Sequence, residues 1–284
     1  MRKILNTKRN RKESGQIVLL LVLITVVGLT IGLSLISRTI TDIRITSQTE
    51  QSSRAFSAAE AGIETALRSN VAPGPTGSVS LPGASANYSV SEVGGDADNL
   101  VLPLTEVGGS QTVWLIPHNS DGTIDENGVS YPINNTLEVC FNSFANANPA
   151  VMVSILYEEG TEFKIAKKAF DSLSRGNSLI MSDTIGNYCS TNYKNRIILI
   201  PGTDSDSSTQ DFNIGLTAKL YFLRLQPMYD STAFIIDPQS ALPIQGKIIS
   251  SIGQTESNVV RKIQVFQGYP VLPALLDFAL FSEN

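Results

Sequence analysis

The chain has 284 residues, 42% of them hydrophobic and 17% charged, with a formal net charge of −5 at pH 7. One histidine and two cysteines are too few for a four-ligand zinc site, and the acidic balance gives no electrostatic footprint for nucleic acid. No cofactor-binding pattern is present, because the glycine pairs after Val93 and Val107 are turns with no helix behind them.

Residues 1–15 hold Arg2, Lys3, Lys8, Arg9, Arg11 and Lys12 against Glu13, a net of +5; with the whole chain at −5, residues 16–284 sum to −10. The next stretch, 17–36, reads IVLLLVLITVVGLTIGLSLI and carries no charge. A bilayer core of about 30 Å needs roughly 20 apolar residues in a helix, so this run matches one crossing. A secretory signal has a shorter apolar stretch and a small-residue cleavage site after it. Here the run leads into Ser37-Arg38 and a charged, helix-compatible sequence. The charge asymmetry predicts a single-pass protein with its N-terminus cytoplasmic and its acidic bulk exported.

From 37 to 69 there is no proline and one glycine, Gly62. Ile36, Ile40 and Ile43, then Phe56, Ala59, Ile63, Ala66 and Leu67, recur at helical spacing, while Arg54, Glu60, Glu64 and Arg68 fall on other faces. Pro73, Gly74 and Pro75 end the pattern. One continuous helix is expected from about residue 16 to about residue 69: a transmembrane half, then an amphipathic stem of 37–69. Such a helix is not stable alone in water, so its stem must pack on its own head or on neighbouring copies. Gly28 and Gly32 have the four-residue spacing that lets helices approach closely in lipid, a pattern that also arises by chance.

Residues 70–110 form a Gly/Pro/Ser-rich connection with one early strand at 86–92. The exported head, 111–284, reads as short β runs at 112–116, 137–141, 151–157, 162–169, 196–200, 218–225, 232–236, 246–252 and 259–266. Hairpin turns are expected at 158–161 and 255–258. No strand–helix–strand alternation occurs, so the fold class is α+β: a long N-terminal helix followed by an antiparallel β-rich globular head. The tail from 270 to 284 is unusually apolar, with Val271, Leu272, Leu275, Leu276, Phe278, Leu280 and Phe281. It is expected to cover an edge or face of the sheet; the alternative is an interaction segment that docks on another subunit.

The segment Arg54-Ala55-Phe56-Ser57-Ala58-Ala59-Glu60-Ala61-Gly62-Ile63-Glu64 resembles the AFxAAEAGIE stretch in the N-terminal region of PilX-type minor pilins. Together with the basic leader ending at Gly15, the long helix and the β-rich head, the chain resembles a type IV pilin precursor over residues 11–68. The resemblance implies that a prepilin peptidase cuts between Gly15 and Gln16. It also implies that the apolar helix waits in membrane lipid and then packs against other pilin subunits in a filament. The assembly helix would use Leu20, Gly28, Gly32, Phe56, Glu60 and Glu64. Major pilins usually carry glutamate at the fifth mature position, which here is Leu20. That departure implies a minor subunit at or near a filament tip, or an initiator of assembly. The alternative is a signal-anchored cell-surface adhesin that never enters a filament.

In the head, Cys140 and Cys189 lie where thiols tend to oxidise and either pair or stay as separate thiols. His118 sits at a strand exit in Ile-Pro-His-Asn-Ser-Asp-Gly, with no nucleophile elbow or metalloprotease motif, so no enzymatic site is predicted. Two acidic loops, 121–127 and 204–211, the latter with Asp204, Asp206 and Asp211, are weak calcium candidates that lack a closing glutamate at EF-hand spacing. Solvated loops are the plainer reading of both, and no metal is predicted.

Overall fold

The computed structural model describes residues 14–69, 73–74, 76–141, 148–184, 193–203 and 210–273. A single helix, α1 (Ser14–Arg68, 55 residues), is followed by β1 (Gly77–Leu81), β2 (Ala84–Val93), β3 (Leu100–Thr105), β4 (Gln111–Trp114) and β5 (Leu137–Phe141). Then come β6 (Ala150–Glu159), β7 (Glu162–Asp171), β8 (Ile180–Met181), β9 (Asp183–Thr184), β10 (Asn195–Ile200) and β11 (Gln210–Asp211). The last four are β12 (Lys219–Met228), β13 (Thr232–Pro238), β14 (Gly246–Thr255) and β15 (Val260–Gly268). The class is α+β, as the periodicities predict. At about 1.5 Å per residue, α1 spans about 80 Å.

The chain divides into two compact units. The smaller comprises residues 1–64, 78–87 and 251–263. Within it, the stem of α1 buries Ala55, Ala58, Ala59, Gly62 and Ile63, an i, i+3, i+4, i+7, i+8 stripe. The stripe is made of small residues because a strand lies against the helix backbone. A Cβ added to Gly253 of β14 would collide with the Ala55 carbonyl and lie 2.7 Å from Ala59 N, so only glycine fits there. Gly62 makes the reciprocal fit, since a Cβ there would run into the Ser251 hydroxyl. Polar bonds flank the stripe: Ser257 Oγ donates to Gln51 Oε1 at 3.0 Å, and Arg261 Nε to Ser52 Oγ at 2.9 Å. The turn between β14 and β15 closes by Asn258 N donating to Thr255 O at 2.9 Å, with Asn258 at φ 61°.

The larger unit comprises 65–77, 88–250 and 264–284. Two sheets build it. One has the order β11-β10-β5-β13-β3, with β9 also on β10; the other has the order β4-β12-β6-β7-β8. Pairing is antiparallel except for the short β10–β11 and β7–β8 pairs. The longest ladder is the β6–β7 hairpin, ten residue pairs from Ala150↔Asp171 to Glu159↔Glu162, turned by Gly160 at φ 71°. Leu137, Val139, Phe141, Ile197, Leu199, Phe234 and Ile236 of the first sheet share one core with Val151, Val153, Ile155, Phe170, Leu220, Leu223 and Leu225 of the second. The two sheets therefore pack face to face, each presenting alternate residues to the other. A register shift at Leu220/Phe222 lets β12 bury Tyr221 and Phe222 on its other face with Trp114, Ile116 and Leu156.

The passage 70–110 is more than a connection. It carries three strands, β1, β2 and β3, where one was expected. β1 and β2 sit beside β14 and β15 in the sheet order β1-β2-β14-β15, and all four of these strands have residues in both units.

Candidate functional site

The first half of α1 is a continuous apolar surface that is exposed and that no described residue covers. Between Ile17 and Ile36 no large apolar side chain is less than 49% exposed, and Leu20 is 57% exposed. Gly28 is exposed and Gly32 half-buried, and neither has a neighbour that an added Cβ would meet. No charged residue occurs before Arg38 within 16–37. The two threonine hydroxyls of the run are satisfied inside the helix, Thr25 Oγ1 donating to Val22 O at 2.8 Å and Thr30 Oγ1 to Val27 O at 2.8 Å. In lipid an unpaired hydroxyl would be costly, so these back-bonds make the surface apolar in effect as well as in composition. The helix is long and apolar enough to cross a bilayer. A surface of this size needs lipid or a protein partner. Gly15 and Gln16 lie in the first turn of α1, and the basic residues of the leader lie outside the described residues.

In the stem, Ala59, Ile63 and Ala66 are buried as expected, and two other expected positions are not. Phe56 and Leu67, expected among the apolar positions, are 47% and 40% exposed. The buried face starts at Ala55 and continues through Ala58, because a phenylalanine at the contact would hold the helix off Gly253. Phe56, Glu60 and Glu64 thus stand on the exposed side of α1, together with Arg54, which pairs with Glu50 at 2.6 Å.

The head's candidate residues lie apart from one another. Cys140 is fully buried in β5 and is disulfide-bonded; the chain's other cysteine, Cys189, lies outside the described residues. His118 follows β4 and bridges to Ile124. Its ring stacks on Tyr269 at 3.8 Å and meets Trp114 edge-on at 4.4 Å. Burial pushes the imidazole below its ordinary value, and the Ile116 backbone opposes that shift. The ring's stacked and edge contacts give it a packing role.

In the 121–127 loop Asp121 and Asp125 bond within the loop's own turns, and Glu126 bonds to β12. Asp121 Oδ1 accepts from Thr123 N at 2.9 Å and Oγ1 at 2.6 Å, which holds the Asp121 carboxyl below its usual range. Asp125 Oδ1 accepts from Asn127 N at 3.0 Å. Glu126 Oε2 accepts from Lys219 Nζ and Tyr221 OH, both at 2.9 Å, and the Lys219 bond draws its carboxyl downward. Asp211 pairs with Lys168 at 3.7 Å; Asp204 and Asp206 lie outside the described residues. Among the described residues no group of three or more His, Cys, Asp and Glu side chains is placed to hold a metal.

Two features of the larger unit escaped the sequence reading. Gln245, 6% exposed, acts as a strand partner for β4: its Oε1 accepts from Trp114 N at 2.7 Å and its Nε2 donates to Trp114 O at 2.9 Å. Beside it lies an apolar groove of about 610 Å³, lined by Val101, Leu102, Trp114, Ile248, Phe266 and Val271 among others. A one-residue amide clamp has no periodic signature, and a groove built from strands far apart in sequence has none either.

Comparison with protein-family models, with curated proteins and with solved structures gives no match to this chain.

Proposed function

We propose that this chain is a minor-pilin-like structural subunit of a type IV pilus or related filament, processed after Gly15 and assembled through α1. The observation that carries the reading is the division of α1. Its first half is uncharged and exposed on every side, while its second half packs by a small-residue stripe within its own unit. A plain anchor needs the first half alone. A helix that serves first in lipid and then among neighbouring helices needs both. The exposed Phe56, Glu60 and Glu64 supply a stem face for those neighbours.

Leu20 places a neutral side chain where an ion pair would otherwise set register between subunits. This supports a subunit used in few copies, at or near a tip or in initiation. The partners are a prepilin peptidase, membrane lipid before assembly and other pilin subunits after it. In this reading the N-terminus is cytoplasmic and the head is exported, reaching the cell surface on assembly.

Mass spectrometry of the mature chain tests the proposal. The expected N-terminus is Gln16, and substituting Gly15 should leave the leader attached. An intact Met1, or cleavage beyond Ile36, in a cell that makes pili would overturn it and favour the signal-anchored surface adhesin.

A further inference from the structure

The larger unit holds a second recess, of about 590 Å³, whose lining mixes polar and apolar groups. That volume is in the range of small-molecule sites. Segments far apart in sequence build it: the turn that follows β4, the start of β14 and the end of β15, with Glu92 from the end of β2. β14 and β15 approach closely where they line it. A Cβ on Gly246, at φ 152°, would lie 2.4 Å from Gln267 O, so only glycine fits there. The apolar tail at 274–284 lies outside the described residues and forms no part of the site.

The turn after β4 is set in advance as a source of acceptors. Asn119 Nδ2 donates to Thr123 Oγ1 at 3.0 Å and to Ile124 O at 3.3 Å. A backbone carbonyl only accepts, so these bonds fix the amide and leave Asn119 Oδ1 as an acceptor with no partner among the described residues. Thr123 takes up Asp121 Oδ1, which leaves Oδ2 as a second acceptor. β14 and β15 bring donors: the Lys247 ammonium, the Gln267 amide and the Tyr269 hydroxyl. The Gln267 amide and the Tyr269 hydroxyl bond to no described residue. Burial and the nearby Glu92 charge push the Tyr269 hydroxyl up, so it stays protonated and able to donate. Its ring is held by the stack on His118, at 3.8 Å with the planes 4° apart, and His118 is braced edge-on by Trp114. Two carboxylates in one recess disfavour an anion, and the ammonium beside them disfavours a free cation. An apolar solute would strip these groups of water and give them nothing in return. A neutral polyhydroxyl compound suits them, because each hydroxyl donates to one group and accepts from another. Its C–H surfaces find apolar counterparts in Leu67 and Ile244.

We propose that this recess binds a neutral saccharide. Glu92, Asn119 Oδ1 and Asp121 Oδ2 accept from the sugar hydroxyls, while Lys247, Gln267 and the Tyr269 hydroxyl donate to its oxygens. The His118–Tyr269 stack keeps the phenol in place. The same chemistry belongs to a free sugar and to a unit of a glycan chain. The inference goes beyond filament assembly and concerns the larger unit alone, so its failure would leave processing at Gly15 untouched.

The test uses the full chain in a detergent without a sugar headgroup. The probes are glucose, galactose, mannose and N-acetylglucosamine, each as the free sugar and as short oligomers. The sole tryptophan, Trp114, touches the His118 ring and reports on the recess. Saturation-transfer NMR reads the probe directly and covers one that binds without changing Trp114 emission. At least one probe should bind saturably with a Kd of about 1 mM or below. Glu92→Ala, Gln267→Ala and Tyr269→Phe should each weaken that binding about tenfold, as the loss of one hydrogen bond to the ligand requires, with the thermal midpoint unchanged. Glu92 and Gln267 are exposed, so their replacement leaves the fold intact. Tighter binding of an oligomer identifies a glycan chain as the source, and equal binding identifies the free sugar. No saturable binding of any probe by either measurement would overturn the proposal, as would binding that all three variants leave unchanged. Binding of inorganic phosphate or of calcium at lower concentration than any saccharide, lost in the same variants, would overturn it too, by giving the recess to an ion.

Discussion

Replacing Gln245 with alanine removes both hydrogen bonds that its amide makes to the Trp114 backbone, at 2.7 and 2.9 Å. Trp114 is 7% exposed and ends β4, whose ladder to β12 occupies only one side of the strand. The alanine variant therefore leaves a buried N–H and a buried C=O without the partner that now satisfies them. Each such group costs about 1–3 kcal/mol, and with partial access of water from the adjacent groove the sum should be about 3 kcal/mol. The substitution Gln245→Glu separates the two bonds. Its carboxylate still accepts from Trp114 N but faces the carbonyl oxygens of Trp114 and Pro243, which Gln245 Nε2 now supplies with donors. That arrangement favours the protonated acid and raises its folded-state pKa above the unfolded value. The glutamate variant should thus lie closest to the parent at low pH and fall behind it as pH rises. Urea unfolding of the full chain in mild detergent, followed by Trp114 emission, measures both. A loss below about 1 kcal/mol for Gln245→Ala at unchanged denaturant slope, or a glutamate variant indifferent to pH, would refute the strand-partner role.

Other outcomes follow from neighbouring features. Gly253→Ala should cost about 1–3 kcal/mol by overpacking the α1 backbone, with faster hydrogen exchange at amides 55–59 than elsewhere in the stem; unaltered exchange there would remove the close-packing argument. Non-reducing peptide mapping should recover Cys140 linked to Cys189, and Cys140→Ser should destabilise the head by about 4 kcal/mol for a closed loop of about 50 residues. His118 is held below its ordinary value of 6.5 by burial, so the fold favours the neutral ring. Its contribution is complete above about pH 6.5 and is lost as pH falls through the lowered folded value. The thermal midpoint of the parent should therefore drop more between about pH 7.5 and pH 5 than that of His118→Gln; parallel drops would contradict this.

The strand runs were legible where β-branched and aromatic residues cluster between turn residues. The ladder 137–141 was read to the residue, and the hairpin at 158–161 was set by Gly160 between two apolar runs. The strand at 246–252 was stopped early, because Gly253 reads as a breaker in one dimension. In three it is the point where β14 touches α1, and the strand continues to Thr255. β1 and β3 were hidden by Pro, Gly and Ser, which an outer strand tolerates and an inner strand does not. The stem stripe was right at Ala59, Ile63 and Ala66 and wrong at Phe56 and Leu67. Hydrophobicity ranks Phe56 above Ala55, whereas a backbone-to-backbone contact selects for small size.

By itself, the sequence determined the long helix, the apolar span within it and the antiparallel character of the head. Those properties are periodic, local and set by residue type, and 17–36 needs nothing beyond its own length and lack of charge to be recognised. Only the tertiary structure decided which face of the stem is exposed, what completes β4 and what holds the Leu272 carbonyl. Each of these depends on residues brought together from distant parts of the chain, Ala55 with Gly253, Trp114 with Gln245 and Arg224 with Leu272, and such distances are fixed by packing rather than by spacing.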